Sequence, residues 1–420
     1  MYFTRREFGR LALAGVPAAT FSGTSLFGSA LRQAKPNSKF AGVQIGVITY
    51  SYRSMPDQGA EATLRYLIDS GVSGTELMDQ PVELFLGRPA PAARGGARGG
   101  GAAGGRRGGD APAGPTSYEQ LMAGTMPTCT PDEGRAGGGR GARGAAPAAA
   151  ADGAGAAGAA APGTPAGTPA TGAVAAGDGA ARAGGGGAGR GAPNPEAQAA
   201  ADELRKWRTS VSLDKLKSLR KMYNDAGVTI YAYKSDGMQK NMQTTDAELD
   251  YLFNVAAALG ATHTTMELPA PGPDGAAMLK RMAQFAEKHK VYIAYHTHAQ
   301  GSMTAFDEVL AMSKWNMSNV DLGHYVAAGN KGGSPIQFLE QHHSRVASFH
   351  LKDRTLPEHC SLTVPFGKGD GQIKDILLLM KKNKWAFPAS IELESPIPAD
   401  SDAVKEVKKS VDYAKTILLG

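Results

Sequence analysis

The sequence predicts an α/β protein, a closed (β/α)8 barrel (TIM barrel) with a long disordered insertion after strand 2. Three observations indicate this fold class. Short apolar runs alternate with amphipathic helical segments, eight such runs can be counted, and a low-complexity block separates the second run from the third. Strands that alternate with helices favour a parallel sheet, and eight of them favour closure. The alternative is an open doubly wound sheet, which is disfavoured because no Gly-x-Gly-x-x-Gly follows the first strand.

The amino terminus is predicted to be an export signal. Thr4-Arg-Arg-Glu-Phe8 precedes a weakly apolar stretch, Leu11 to Phe27, which a glycine and a proline interrupt. A bilayer span needs about 20 apolar residues, so no stable membrane anchor is expected after signal removal. A twin-arginine pair in this position resembles the signal of the twin-arginine pathway. We therefore expect residues 1–30 to be a signal peptide and the mature protein to be periplasmic or otherwise extracytoplasmic; a plain basic tail is the alternative.

The segment from 86 to 200 is predicted to be a disordered insertion. Gly, Ala, Pro and Arg dominate it, and it contains almost no β-branched or aromatic residues. Such a segment cannot bury enough apolar area to offset the entropy lost on ordering, so we expect at most a short local element around Tyr118 to Met122. Its Arg-Gly tracts could bind nucleic acid, but its net charge of only +3 favours a solvated linker. Because Cys129 lies inside the segment and Cys360 outside it, we expect no disulfide framework.

The remaining residues, 31–85 and 201–420, have the length of one barrel. They number 275, and a barrel of this class typically has about 250. Of the net charge of +6, residues 1–30 carry +2 and the insertion +3, so the barrel itself is nearly neutral. The basic isoelectric point of the whole chain therefore says nothing about an acidic partner.

The elements of the barrel follow the apolar pattern in chain order. The predicted strands are Val43–Tyr50, Val72–Leu77, Val228–Tyr233, Ala261–Leu268, Val291–Tyr295, Met317–Leu322, Val346–Leu351 and Ala389–Leu393. Helical periodicity is present in Leu213–Met222, Leu249–Ala256, Met278–His289, Phe306–Met312, Ile336–His342, Ile373–Lys382 and Val404–Leu418. The first two of these helices are expected to end at Gly227 and Gly260, because glycine commonly terminates helices.

Polar side chains stand where the apolar runs end. In a barrel of this class the carboxyl ends of the strands converge on one mouth, so these side chains are expected to lie together. A divalent metal would gather them without leaving buried charges unpaired, and mixed His and carboxylate ligands suit Mn, Zn, Co or Fe rather than Mg. The residues concerned are Glu76, Lys234, Glu267, His296, His298, Asp321, His324, His350, Lys352, Glu392 and Glu394.

Five motifs carry a family resemblance: Tyr295-His-Thr-His298, Asp321-Leu-Gly-His324, His350-Leu-Lys-Asp353, Phe366-Gly-Lys-Gly-Asp-Gly371 and Ile391-Glu392. Through them the chain resembles the xylose-isomerase-like TIM-barrel superfamily, and within it the sugar phosphate isomerase/epimerase group. The motifs lie in roughly the last 130 residues, while the barrel pattern extends the resemblance over the folded part. The insertion has no counterpart in the core of that family.

The resemblance implies a ligand set. In that family an acid on strand five, Asp on strand six, His on strand seven and Glu on strand eight usually hold the metal, which implies Asp321, His350 and Glu392 here. The fifth-strand position is His296 instead of an acid, so the fourth ligand is either His296 or Glu267. At this position the usual two-glutamate acid/base mechanism of that family would place a glutamate.

The resemblance and the residue types together suggest roles for the remaining side chains. We expect the general acid or base to be among Glu267, His298 and Glu392, because proton removal next to a carbonyl needs a positioned carboxylate or His. His324 resembles the family's ligand for a substrate hydroxyl, and Lys352, Lys234 and Glu76 are further candidates for substrate contacts. The glycine-rich Gly367 to Gly371 either approaches the substrate through its backbone or forms a plain turn.

The predicted function is a metal-dependent sugar isomerase or epimerase, which removes a proton next to the carbonyl of a sugar or keto-sugar through an enediolate. A lyase or dehydratase acting on keto-sugars or 3-keto-glycosides is the first alternative, because the same enediolate can expel a β-leaving group. An exported sugar-binding protein with a degenerate metal site is the second, favoured by His296. An abasic-site endonuclease is the third, but the nearly neutral barrel has no basic face for DNA, so no nucleic-acid partner is expected. The sequence leaves the oligomeric state open.

Overall fold

A computed structural model describes residues 35–89, 116–129, 195–235 and 244–420. The predicted export signal and residues 90–115 and 130–194 of the predicted insertion lie outside the described residues.

Eight parallel strands form the barrel that the sequence predicts. The strands are β1 (Val43–Ile48), β2 (Gly74–Met78), β3 (Thr229–Lys234), β4 (His263–Glu267), β5 (Tyr292–His296), β6 (Asn316–Asn319), β7 (Phe349–Leu351) and β8 (Ala389–Ile391). Their order around the sheet is β6-β5-β4-β3-β2-β1-β8-β7. Between β6 and β7 the ring is closed by parallel bridges, Ser318 to Val346 and Asp321 to His350.

Helices surround the strands. They are α1 (Ala60–Asp69), α2 (Asp79–Leu86), α3 (Ser117–Met122), α4 (Pro195–Ser210), α5 (Leu216–Asp225), α6 (Asp246–Leu259), α7 (Pro273–His289), α8 (Asp307–Met312), α9 (Leu322–Ala327), α10 (Pro335–His342), α11 (Ile373–Asn383) and α12 (Ala403–Leu419). Within the described ranges, no helix is long and apolar enough to cross a bilayer.

Helix α6 shows how local sequence sets these elements. At its start Thr245 and Glu248 form a reciprocal capping box, which satisfies two backbone donors that a helix would otherwise leave unpaired. At its end Gly260 adopts a left-handed conformation, with φ 76°, as the sequence predicts. The helix buries Leu249 and Phe253 against the sheet and its neighbours.

The sixth strand is shorter than predicted. The sequence suggests Met317–Leu322, but the strand ends at Asn319. The reason is that the carboxylate of Asp321 accepts a hydrogen bond from the backbone N–H of His324 at 2.7 Å and so caps α9. An N-cap residue leaves the strand conformation and starts a helix, a helix that apolar periodicity alone does not predict.

A layer of large side chains fills the barrel below the mouth. A Cβ at Gly46 would lie 2.3 Å from the hydroxyl oxygen of Tyr231, so only glycine leaves room for this ring. The Tyr231 hydroxyl donates to Ser390 Oγ at 2.8 Å, and its ring stacks on His263. Since this layer excludes solvent from below, the polar groups above it face one opening.

The boundaries of the insertion are narrower than predicted. The predicted local element is confirmed as α3, but α4 begins at Pro195, before residue 201 where the barrel was expected to resume. Arg208 of α4 is buried and pairs with the buried Glu83 at 2.7 Å, which ties this helix to α2. Composition did not reveal α4 because its first turns are rich in alanine, like the insertion itself.

The expectation of no disulfide is wrong. Cys129 and Cys360 are bonded, with their Cα atoms 5.1 Å apart. The backbone N–H of Cys129 also donates to the carbonyl of Glu358 at 2.9 Å, so residues 116–129 lie against the loop after β7. A short docked segment inside a low-complexity block leaves too small a signal in the overall composition to be predicted.

Candidate functional site

Four predicted metal ligands meet at the mouth of the barrel. His296 ends β5, Asp321 follows β6, His350 lies in β7 and Glu392 follows β8. One ligand atom from each of them lies within 4.8 Å of those of the other three. All four side chains are largely removed from solvent, with Glu392 the most exposed at 8%. The parallel strands therefore bring together residues that are far apart in sequence.

His350 is held between two carboxylates. Its Nδ1 lies 2.9 Å from Oε2 of Glu392, and its Nε2 lies 3.2 Å from Oε2 of Glu76. Burial alone would lower the pKa of His350, but the two negative charges outweigh it and raise that pKa to about 10. Without a metal, His350 is therefore an imidazolium at neutral pH.

Glu76 holds His350 from inside the barrel. Its carboxylate is fully buried, and its second oxygen accepts the hydroxyl proton of Thr265 at 2.6 Å. Burial would raise the pKa of Glu76, but the charge of His350 and these hydrogen bonds lower it to about 2. Both oxygens of Glu76, a predicted substrate contact, are therefore hydrogen-bonded inside the barrel.

Lys352 is a counter-ion for three carboxylates. Its Nζ lies 2.8 Å from Asp321 Oδ2, 2.8 Å from Glu392 Oε2 and 2.7 Å from Glu394 Oε2. Burial would lower the pKa of Lys352, whereas these carboxylates raise it, and in return Lys352 holds the pKa values of Asp321 and Glu392 below their usual range. The side chain, a predicted substrate contact, is only 1% exposed and neutralises these carboxylates.

His296 is oriented as a metal ligand would be. Its Nδ1 lies 2.9 Å from the side-chain oxygen of Asn319, whose amide nitrogen donates to Ser348 Oγ at 2.7 Å. The amide orientation makes that oxygen an acceptor, so Nδ1 carries the proton and Nε2 keeps its lone pair. Burial, followed by the charges of Lys234 and His350, lowers the pKa of His296 to about 4. A neutral imidazole whose other nitrogen is fixed by a hydrogen bond is the usual form of a His ligand.

The donor set fits a divalent metal. Two imidazole nitrogens and two carboxylate oxygens suit Mn, Fe, Co or Zn better than Mg or Ca. Metal binding requires deprotonated ligands; of the four side chains only His350 has a raised pKa, so it would have to release a proton to bind a metal. His296, Asp321, His350 and Glu392 would hold the ion, whereas Glu267 belongs to a second group with His296 and His298.

Glu267 and His298 are the predicted catalytic residues that reach solvent. Their side chains are 35% and 48% exposed, and Glu267 Oε2 lies 3.4 Å from His298 Nε2. The other oxygen of Glu267 lies 3.3 Å from Lys234 Nζ, so Lys234 orients this carboxylate. Burial would raise the pKa of Glu267, but the charges of His296, Lys234 and His298 lower it to about 2. Glu267 is therefore ionised and accessible at neutral pH.

The glycine-rich segment after β7 forms a turn around a side chain of the protein. Asp353 accepts backbone N–H bonds from Gly367, Gly369 and Gly371 at 2.8, 3.1 and 3.0 Å. A Cβ at Gly369 would lie 2.5 Å from a carboxylate oxygen of Asp353, which explains the glycine there. Of the two interpretations left open by the sequence, the structure favours the turn, because these donors are already paired.

Sequence reasoning missed the residues that support the site from behind. Thr265 and Asn319 hold Glu76 and His296, and Arg354 lies 2.7 Å from Nδ1 of His324. Arg354 directly follows a recognised motif, and Asn319 stands two residues before Asp321, so proximity to the ligands was the available signal.

Comparison with known proteins agrees with this architecture. The family profile described as "Xylose isomerase-like TIM barrel" matches residues 193–417. The chain belongs to this family. The matched residues include the four that meet at the mouth of the barrel, His296, Asp321, His350 and Glu392. Among curated proteins, none matches the sequence.

The chain is also similar to several solved structures. A probable 3-DHS dehydratase, AsbF, from Bacillus anthracis is 10% identical, with a TM-score of 0.48, over 88% of this chain and 98% of that one. A sugar phosphate isomerase/epimerase from Parabacteroides distasonis is 13% identical, with a TM-score of 0.46, over 93% and 99%. D-Psicose 3-epimerase from Clostridium cellulolyticum is 10% identical, with a TM-score of 0.39, over 51% and 86%.

Proposed function

We propose that this protein is a divalent-metal-dependent isomerase or epimerase that acts on a sugar or keto-sugar and removes a proton next to the carbonyl through an enediolate. The observation that carries the proposal is the convergence of His296, Asp321, His350 and Glu392, whose ligand atoms lie within 4.8 Å of one another. Membership of the xylose isomerase-like family supports it.

The residues at the mouth divide into ligands and acid/base groups. A divalent ion bound by the four ligands would polarise a substrate carbonyl and so acidify the neighbouring C–H. Glu267 is the general base in this proposal, because it is ionised, accessible and held by Lys234. His298 lies beside Glu267 and is exposed, so it can exchange the abstracted proton with solvent or return it to the substrate.

Glu392 acts as a ligand rather than as the base in this proposal. One of its oxygens, Oε2, already lies 2.9 Å from His350 Nδ1 and 2.8 Å from Lys352 Nζ. The side chain of Glu392 is only 8% exposed and its Oε2 is committed to these two cations, whereas Glu267 is 35% exposed and can reach a substrate. In this proposal Glu267 is the base and Glu392 is only a ligand, so the acid/base work is not shared between two glutamates as the family resemblance implies.

The experiment is deuterium exchange in heavy water, with metal content measured on the same samples. Metal-replete protein should wash deuterium into the carbon next to the carbonyl of a keto-sugar from a broad panel. Glu267→Gln should slow this exchange by about 10²–10⁴-fold and keep the metal, the usual effect of losing a positioned base. His350→Ala should lose both metal and exchange.

Two control variants make the same chemical changes at positions away from the mouth of the barrel. Glu287→Gln alters an exposed carboxylate on α7, and His343→Ala removes an imidazole that stacks on Trp385 away from the mouth. Both should keep metal and exchange. Tight sugar binding by metal-replete protein without exchange on any sugar would contradict the proposal in favour of a binding protein, and release of a β-leaving group would indicate a lyase.

We also propose that the protein works outside the cytoplasm after export by the twin-arginine pathway. The Cys129–Cys360 disulfide supports this proposal, because disulfides persist mainly in oxidising compartments. A fusion of residues 1–35 to a folded reporter should reach the periplasm of a bacterial host in an Arg5- and Arg6-dependent manner. Export of the fusion with both arginines changed to Lys would contradict it.

A further inference from the structure

Arg354 is a buried cation that contacts an imidazole of the mouth. Its Nη1 lies 2.7 Å from His324 Nδ1, and its Nη2 donates to the carbonyl of Ser361 at 2.5 Å. The residue is only 5% exposed. Among the described residues it makes no salt bridge, although the charges of Asp321 and Glu394 act on it from a greater distance and partly offset the lowering of its pKa by burial.

The contact fixes which nitrogen of His324 carries the proton. A guanidinium has five N–H donors and no acceptor, so His324 Nδ1 must accept the hydrogen bond with its lone pair. An imidazolium, or the tautomer with a proton on Nδ1, would set two donors against each other at 2.7 Å. The proton of a neutral His324 therefore lies on Nε2.

The protonated nitrogen of His324 points toward two carboxylates without reaching either. Nε2 lies 3.9 Å from Asp321 Oδ2 and 3.9 Å from Glu394 Oε2, too far for a direct hydrogen bond. His324 and Glu394 have side-chain exposures of 20% and 28%, so both face the opening. A hydroxyl beside them can accept from Nε2–H and donate to Glu394, which is the pairing that a sugar hydroxyl offers.

We propose that Arg354 is a positioning residue that fixes His324 as the Nε2–H tautomer, so that this nitrogen donates a hydrogen bond to a substrate hydroxyl shared with Glu394. The identity of the acceptor as a sugar hydroxyl rests on the proposed function; the tautomer does not. A purely structural residue here would need only to fill the space and satisfy the Ser361 carbonyl. The guanidinium does more than such a residue would, because it also donates a hydrogen bond to His324.

The first test needs no variant. Long-range proton–nitrogen correlation spectra of the ¹⁵N-labelled full-length protein report the tautomer of each of its nine histidines, and the signals lost in His324→Gln identify those of His324. We expect a non-protonated Nδ1 and a protonated Nε2. A protonated Nδ1 in the wild-type protein overturns the inference.

The second test removes the donor. Arg354→Met keeps the approximate bulk but no N–H group, so a share of His324 should shift to the Nδ1–H tautomer. The value of kcat/KM for the sugar found in the exchange assay should fall by about tenfold, the size of one hydrogen bond, with metal content unchanged. Arg354→Gln retains an N–H donor and should preserve the tautomer, which keeps the test decisive if the methionine variant does not fold.

Arg345→Met is the matched control. Arg345 also donates to backbone carbonyls, those of Leu310, Ser313 and Asn316 at 3.1, 2.7 and 2.6 Å. It lies near the start of β6, away from the mouth, so its loss should lower stability without changing the His324 signals. An unchanged His324 tautomer in Arg354→Met overturns the inference, whereas absence of exchange on every sugar refutes the proposed function alone, because the spectra are read without substrate.

Discussion

Replacing Lys352 by Met should destabilise the metal-free protein strongly. The ammonium group lies within 2.8 Å of Asp321 and Glu392, and the three side chains are at most 8% exposed. Methionine has nearly the same length and fills the same space, so packing changes little. What remains is a pair of buried carboxylates that have lost their shared cation.

The magnitude follows from that loss. Removing one partner from a buried ion pair typically costs about 3–5 kcal/mol. At roughly 2–4 °C per kcal/mol for a domain approaching this size, the melting temperature should fall by about 6–20 °C. Lys352 holds the pKa values of Asp321 and Glu392 below their ordinary values of 3.8 and 4.5. The stabilisation that comes from these lowered pKa values is fully present when the pH is above the ordinary pKa values, and it is lost as the pH falls through the lowered ones. The stabilities of the wild-type protein and of Lys352→Met should therefore converge in acid.

The assay is urea denaturation of chelator-treated protein at neutral and acidic pH. Lys221→Met, which removes an exposed i,i+4 partner of Asp225, is the control and should change stability very little. Adding a divalent ion should restore part of the loss in Lys352→Met, because the ion neutralises the same carboxylates and binds only the folded state. A metal-free Lys352→Met protein within 1 kcal/mol of wild type at neutral pH would refute the electrostatic reasoning.

Three further changes test other parts of the structure. The pKa of the buried His263 is lowered from 6.5 to about 4, so acidification through this range should cost about 3 kcal/mol as the unfolded state takes up the proton; His263→Gln should reduce that slope in urea titrations at several pH values. Gly369→Ala places a Cβ 2.5 Å from Asp353 and should lower the melting temperature by an amount equivalent to about 1–3 kcal/mol. The double change Cys129→Ser and Cys360→Ser opens a covalent loop of 231 residues and should cost about 2–5 kcal/mol by denaturant unfolding, a loss that a reducing agent should reproduce in the wild-type protein alone.

The strand ends were predictable because barrel topology converts a one-dimensional pattern into a location. An apolar run that stops at a His, Asp or Glu predicts that this side chain lies at the mouth of the barrel, even when the residues it contacts there are not known. His350 and Glu392 were placed in this way, although 42 residues separate them and 2.9 Å separate their interacting atoms. The alternation of strands and helices gave the fold by the same reasoning.

The roles of the charged residues were not predictable to the same degree. Glu76 lies in β2 and Lys352 directly follows β7, both close to the ligands, yet the charges of both are paired inside the barrel. Whether a charged side chain faces solvent or another charge depends on how deep it lies in the barrel and on which carboxylates lie next to it in space. Glu76 is 274 positions from His350 in the chain, and no local pattern encodes that distance in space.

The Cys129–Cys360 bond changes what a break in the backbone would do. A single cut anywhere between residues 130 and 194 would leave two chains, one with β1 and β2 and the other with β3 to β8. These chains would still be joined by the cystine, and by strand pairing of β1 with β8 and of β2 with β3. Proteolytic nicking there, or relocation of the chain termini to this region by circular permutation, should therefore leave the barrel assembled around its mouth.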